Sequence, residues 1–336
     1  MRDDLQKSAA GLQKSFDSLQ KGAGDLQRSS VGLQKDTADL QDGFIRYTSL
    51  NNYLKATFHE KVYKLSLSCA VTCPNRDGTV GFGGCIFCAG GSSAFSGDPR
   101  RSIKEQLKAQ KRLVSKKSGQ KFIAYFGSYT ATYGDCEKLR AAFLTAAEDE
   151  QVVALSVATR PDCLPPKIIE ILKEVQSRVP VFVELGLQTA NDRTAKFLNR
   201  GTVLSDFDRA VKLLKSAGFF VVFHVIIGLP HETADDLLNT VDYCVKMKAD
   251  GIKLQLLHVL RGTELATLYQ NGEFDVLSMD EYIALLCAAL KRLPPEVVVH
   301  RLTGDGAKKD LIAPLWSADK HRVLNAIAAV ARPYEL

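Results

Sequence analysis

Three cysteines, Cys73, Cys85 and Cys88, fall in one short glycine-rich stretch, Thr72-Cys-Pro-Asn-Arg-Asp-Gly-Thr-Val-Gly-Phe-Gly-Gly-Cys-Ile-Phe-Cys88. Thiolates are soft ligands, and several on one loop bind metal more often than they pack. A cubane of four irons held by three thiolates leaves one iron without a protein ligand. An open position of that kind is where chemistry happens, as it is for zinc. A fourth thiol, Cys69, stands just before them. With it the spacing becomes C-x3-C-x11-C-x2-C, which also suits a closed structural zinc site. The loop by itself leaves both readings open.

Other polar residues stand where apolar runs end. Phe126-Gly-Ser-Tyr-Thr130 ends one such run, and Gly127 there would let a ligand approach the backbone. In Val183-Glu-Leu-Gly-Leu-Gln-Thr189 a strand would place Glu184, Gly186 and Gln188 on one face. A carboxylate and an amide turned inward need partners, either a ligand or an internal polar network. Arg200 follows Gln188 by twelve residues and has the fork that pairs with carboxylates. His224 shares a strand face with Ile226 and Gly228, just before a Gly-Leu-Pro turn. Lys253 and Gln255 alternate with Ile252, Leu254 and Leu256. A lysine pointing inward is costly alone, so Lys253 pairs with Glu184 or meets an anionic substrate. Glu184, Lys253 and Gln255 are therefore the candidate catalytic groups.

The elements that must position these residues alternate. Strands are expected at Val62–Leu67, Phe122–Phe126, Val152–Val157, Val181–Leu187, Phe219–Ile227 and Gly251–Leu257. Helices are expected between them at Cys136–Glu148, Pro166–Gln176, Asp192–Leu198, Ser205–Ala217 and Thr233–Met247. Runs rich in Val, Ile, Leu and Phe alternating with helices indicate an α/β fold with a parallel sheet. Six such units make a partial (β/α)6 TIM-like barrel, whose functional residues lie at the C-terminal strand ends. Tyr47–Lys55 reads as a short helix before the barrel, which spans 44–272. A helix at Met279–Arg292, a strand at Glu296–Arg301 and a terminal helix form a C-terminal cap, 273–336.

Before the barrel, residues 1–43 repeat. Leu5, Leu12, Leu19, Leu26, Leu33 and Leu40 recur every seven residues. The positions four residues later, among them Ala9, Ala23 and Ser30, make a poor coiled-coil seam. A disordered or weakly helical tail is expected, dispensable for catalysis. Eight cysteines without regular spacing suit a reducing, cytoplasmic compartment. No apolar run reaches the ~18 residues of a membrane span.

The net charge of +6 is concentrated. Between Pro99 and Lys121 stand nine basic residues against the single acid Glu105. Arg101, Lys104, Lys108, Lys111 and Arg112 lie on a helix there, as a solvated face or as a patch for nucleic-acid phosphates.

Taken together, these stretches resemble the radical S-adenosylmethionine (SAM) enzymes of the YhcC/YtqA type. The resemblance runs from about Tyr47 to Trp316. It rests on Thr72-Cys-Pro-Asn-Arg-Asp-Gly78, Gly83-Gly-Cys-Ile-Phe-Cys88, Thr159-Arg-Pro-Asp-Cys163, Glu184-Leu-Gly-Leu-Gln-Thr189, Asn199-Arg-Gly201 and Ala313-Pro-Leu-Trp316. The Gln188-to-Arg200 spacing and the Gly-Leu-Pro turn are also similar to the oxygen-independent coproporphyrinogen oxidases. The resemblance implies that Cys73, Cys85 and Cys88 hold a [4Fe–4S] cluster, with Cys69 a bystander. It further implies that Gln188 and His224 contact the SAM ribose, Arg200 its carboxylate, and the Gly127–Ser128 backbone its amino group. Members are associated with the wobble uridine in the tRNA anticodon loop, where a 5-carboxymethylaminomethyl group becomes 5-aminomethyl ahead of a separate tRNA methyltransferase. The implied chemistry is one-electron cleavage of SAM to methionine and a 5′-deoxyadenosyl radical, fed by a low-potential donor such as flavodoxin or ferredoxin. Two rival readings are a radical enzyme acting on a small molecule or protein, and a zinc- or cluster-stabilised RNA-binding module without catalysis.

Overall fold

The computed structural model describes residues 44–90, 97–117, 119–304, 306 and 308–334. The heptad repeat of residues 1–43 lies outside them. Strand β1 (Ile45–Ser49) leads directly into helix α1 (Leu50–Phe58), then β2 (Val62–Leu67) and α2 (Ile103–Val114). Four βα units follow: β3 (Lys121–Phe126) with α3 (Cys136–Ala147), β4 (Val152–Thr159) with α4 (Pro166–Gln176), β5 (Val181–Gln188) with α5 (Asp192–Phe197) and α6 (Leu204–Ser216), and β6 (Phe220–Ile227) with α7 (Ala234–Lys246). The chain then continues through β7 (Gly251–Leu256), β8 (Val259–Leu260), α8 (Glu264–Gln270), α9 (Met279–Leu290), β9 (Val298–Arg301), β10 (Leu311–Ala313), α10 (Lys320–Ala328) and β11 (Ala331–Pro333).

Among the described residues the main sheet has nine strands in the order β11-β1-β9-β7-β6-β5-β4-β3-β2, every pair parallel. Six were expected, and two differences follow. Tyr47 to Ser49 is strand rather than helix, because Ile45, Arg46 and Tyr47 pair with Ala331, Arg332 and Pro333. The helix begins only after Ser49, whose hydroxyl accepts from Asn52 N. The C-terminal segment also does more than cap: β9 inserts between β1 and β7 and so extends the sheet. β8 and β10 form a separate antiparallel pair.

Alternation sorts the side chains into two cores. Outward residues such as Leu65, Phe122, Phe126 and Leu155 pack beneath the helices with Phe143 and Leu172. Inward residues lie in layers, as in closed barrels. The lowest layer, Ile123, Ala154, Phe182 and Val298, is plugged by Tyr53, Leu54 and Phe58 of α1. The next layer up is polar: Lys64, Tyr125, Ser156, Glu184, His224 and Lys253.

Candidate active site

The loops at the upper strand ends surround a cavity of about 190 Å³. Cys73, Cys85 and Cys88 line it together with Gly127, Glu184, Gly186, Gln188, Arg200 and His224. Residues scattered over 150 positions of sequence thus meet at one place. Ser128 is buried but does not line the cavity.

The cysteine loop is shaped by its own backbone. Pro74 O accepts from Val80 N at 2.8 Å and Gly81 N at 3.2 Å, and Cys88 N donates to Cys85 O at 2.9 Å. Hydrogen bonds tie the loop to the turn after α5, among them Ile86 N to Leu198 O at 3.0 Å and Asn199 Nδ2 to Gly84 O at 2.8 Å. Burial pushes the Cys85 thiol up to about 11, with Cys88 and Cys73 adding to it. Among the described residues no three His, Cys, Asp or Glu groups are drawn close enough to hold a single ion. A cubane makes a different demand, because each thiolate takes its own iron. Three thiols on one cavity wall, facing polar groups on the others, fit a cluster with one open iron. Cys69 stays out of the cavity and packs against the outer core, where burial pushes its thiol up to about 12.

At the cavity floor Glu184 is fully buried. Lys64 Nζ and Ser156 Oγ donate to its Oε1 at 3.1 and 2.8 Å, and Lys253 Nζ donates to Oε2. Burial opposes its charge, but Lys253, Lys64 and His224 outweigh it and hold the carboxyl well below the usual range. Lys253 therefore takes the Glu184 side of its expected alternatives and is 2% exposed. Burial pushes it down to about 7 against the pull of Glu184. Tyr125 lies between the two lysines, whose ammonium nitrogens stand 5.0 and 4.8 Å from its ring centre. Gln255 is placed outside the cavity lining and accepts from Arg301 Nη1 at 3.3 Å.

His224 Nε2 meets Glu184 Oε2 at 2.8 Å. Burial and the Lys253 charge push its imidazole down to about 4, against the pull of Glu184. The ring is neutral, so Nε2 carries the proton toward the carboxylate and Nδ1 is left as an acceptor. His300, one layer lower, is also held well below its usual value by burial. Both histidines take up protons on unfolding below pH 6.5, so stability falls as pH drops from 6.5 toward 4. The His224 part amounts to about 3 kcal/mol. Urea unfolding at pH 7 and pH 5 should show the loss, and His224→Gln should flatten it. An equal slope in the variant would contradict the assignment.

Two glycines of the cavity lining also leave room for neighbouring side chains. A Cβ on Gly127 would lie 2.2 Å from the Tyr125 ring, so the ring fills the room that Gly127 leaves. A Cβ on Gly186 would lie 2.8 Å from the Gln188 amide. Strict alternation also breaks here. The register shifts between Gly186 and Gln188, and Gln188 takes a left-handed backbone at φ 61°.

Arg200 lines the cavity and is 3% exposed. The guanidinium has five N–H donors. Nη1 donates to Leu187 O at 2.6 Å and Thr189 O at 2.8 Å. Nε and Nη2 each donate to Thr202 O at 3.1 Å, and Nη2 also reaches Asp192 Oδ1 at 3.4 Å. Every donor is engaged, so Arg200 here clamps the end of β5. Lys111 pairs with Asp149 at 2.6 Å. Lys104, Lys108 and Arg112 are exposed.

The family described as the Radical SAM superfamily matches residues 71–244, and the Radical_SAM C-terminal domain matches 249–332. The chain belongs to the radical SAM superfamily. The radical SAM chain is 42% identical to YtqA of Bacillus subtilis strain 168, over 84% of its own length and 88% of YtqA. It is 30% identical to a tRNA uridine(34) acetyltransferase of Methanocaldococcus jannaschii, over 47% of its own length and 29% of that protein. Among solved structures, Elp3 of Methanocaldococcus infernus superposes with a TM-score of 0.61 at 19% identity, covering 81% of this chain and 64% of that one. The radical SAM architecture makes this protein an enzyme, and membership implies use of SAM and a [4Fe–4S] cluster. Among the described residues no helix is long and apolar enough to cross a membrane.

Groups at this site that the sequence did not mark include Lys64, Asn75, Tyr125, Ser156 and Arg160, whose Nη1 donates to Arg200 O at 2.7 Å. Lys64 carries the same signal as Lys253, a lysine on the inward face of a strand. Tyr125 carries none, since aromatic residues are ordinary in strands.

Proposed function

We propose that this radical SAM enzyme acts on the wobble uridine of tRNA, converting a 5-carboxymethylaminomethyl group to 5-aminomethyl. The observation that carries the tRNA reading is α2, which follows the cysteine loop and turns Lys104, Lys108 and Arg112 to solvent. Gln106 fixes its first turn beside the loop, with its side chain bonded to Ser68 N at 2.8 Å and Ser68 O at 3.0 Å. The similarity to a tRNA uridine(34) acetyltransferase supports the same substrate class.

In this reading Cys73, Cys85 and Cys88 hold the cluster, which together with SAM supplies a hydrogen-abstracting radical. With SAM bound, His224 Nδ1 and the Gln188 amide would contact its ribose. The Gly127–Ser128 backbone would meet its amino group. Lys64, Glu184 and Lys253 fix His224 and close the cavity floor against water, which protects a radical. An anticodon-loop base is already unpaired and enters at low cost. A low-potential donor such as flavodoxin or ferredoxin supplies the electron, and a tRNA methyltransferase takes the aminomethyl product.

Mass spectrometry of tRNA nucleosides tests this. Cells without the protein should accumulate the carboxymethylaminomethyl nucleoside and lose the aminomethyl one. Unchanged nucleosides would shift the substrate to a small molecule or protein. Reversing Lys104, Lys108 and Arg112 to Glu should weaken tRNA binding and flatten its salt dependence by about one log–log unit per lost contact. Lys111→Ala should leave the slope unchanged. Equal slopes for the triple variant and wild type would make α2 a solvated face only.

A further inference from the structure

Asn75 lies in the cysteine loop and is 1% exposed. Burying an amide costs free energy unless its hydrogen bonds are made. Its Nδ2 donates to Asn199 O at 2.6 Å and also reaches Cys85 Sγ at 3.8 Å. Glycines keep the space around it clear. A Cβ on Gly81 would lie 2.5 Å from Asn75 Oδ1, and one on Gly201 2.8 Å. The loop does not need Asn75 for anchorage alone, since Asn199 Nδ2 and Ile86 N already tie it down. What Asn75 adds is a buried donor aimed at a sulfur.

We propose that the Asn75 amide donates a hydrogen bond to Cys85 Sγ in the loaded enzyme and raises the reduction potential of the cluster. This rests on the reading of Cys85 as a cluster ligand. The reduced cluster carries one more negative charge than the oxidised one, and part of it resides on the ligating sulfurs. A fixed N–H dipole at a sulfur therefore favours the reduced state, and more strongly in a buried site. Asn75 acts as a positioning and tuning residue and does not touch substrate.

The test is a redox titration of the anaerobically reconstituted full chain, followed by electron paramagnetic resonance, in wild type, Asn75→Ala and Asn75→Asp. Iron and sulfide content are measured alongside. Wild type should load a cluster. Loss of one hydrogen bond to a charged sulfur should change the reduced-to-oxidised ratio about tenfold, a midpoint about 59 mV more negative for one electron. Asn75→Asp should shift it further, because it adds a charge. An unmoved midpoint in a variant with wild-type iron content overturns the proposal. So does loss of iron from both variants with an intact circular-dichroism spectrum, since Asn75 would then serve loop architecture alone. A wild-type chain that binds no iron overturns the cluster reading itself, a result distinct from both.

Discussion

Alanine at Cys73, Cys85 or Cys88 is expected to abolish iron binding and with it all cleavage of SAM, whereas alanine at Cys69 should leave both intact. The three cysteines line one cavity, and Cys69 packs against the outer core instead. A cubane on two thiolates loses a ligand and, with it, the geometry that leaves a single iron open. Iron analysis and the visible absorption of each reconstituted variant decide the matter. Loss of iron from Cys69→Ala as complete as from Cys85→Ala would restore a closed four-thiolate site. Chelating iron from wild type should likewise end SAM cleavage.

The second large effect belongs to Glu184. Replacing it with Gln leaves Lys64 and Lys253 without their carboxylate in a buried layer. Breaking one partner of a buried ion pair costs about 3–5 kcal/mol. Urea unfolding at pH 7 should show a loss of that size in Glu184→Gln. Glu184→Gln combined with Lys253→Met should recover much of it, because an uncompensated charge is removed. If the double variant were as unstable as the single, the cost would lie in packing and not in charge. The pH dependence has a definite sign. Glu184 is held well below 4.5, so its contribution is complete above that value and is lost as pH falls through the lower, folded value.

The barrel was legible in the sequence because its strands are long and nearly continuous in apolar residues. Expected and observed bounds of the strands from β2 to β7 differ by a residue or two. β1 and β11 were not legible. They are five and three residues long, and their pairing partner lies at the other end of the chain. No local pattern marks a contact of that kind. At the site, the convergence of the cysteines, Gln188 and His224 on one cavity was legible from residue type and strand position. The engaged donors of Arg200 were not, since four of its five hydrogen bonds go to backbone carbonyls whose positions only the fold determines.

The ties between the cysteine loop and the turn after α5 also govern the order of assembly. Asn75 is joined to Asn199 across 124 positions, and Asn199 to Gly84 across 115. Leu265 N donates to Ile86 O at 3.0 Å, which adds a still later partner. During synthesis the three cysteines leave the ribosome long before any of these partners exists. Contacts of such sequence separation form late, because closing the intervening chain must precede them. The nascent N-terminal half therefore carries thiols without a socket, and the cavity they line is complete only after β5, α5 and the start of α8 have joined the sheet.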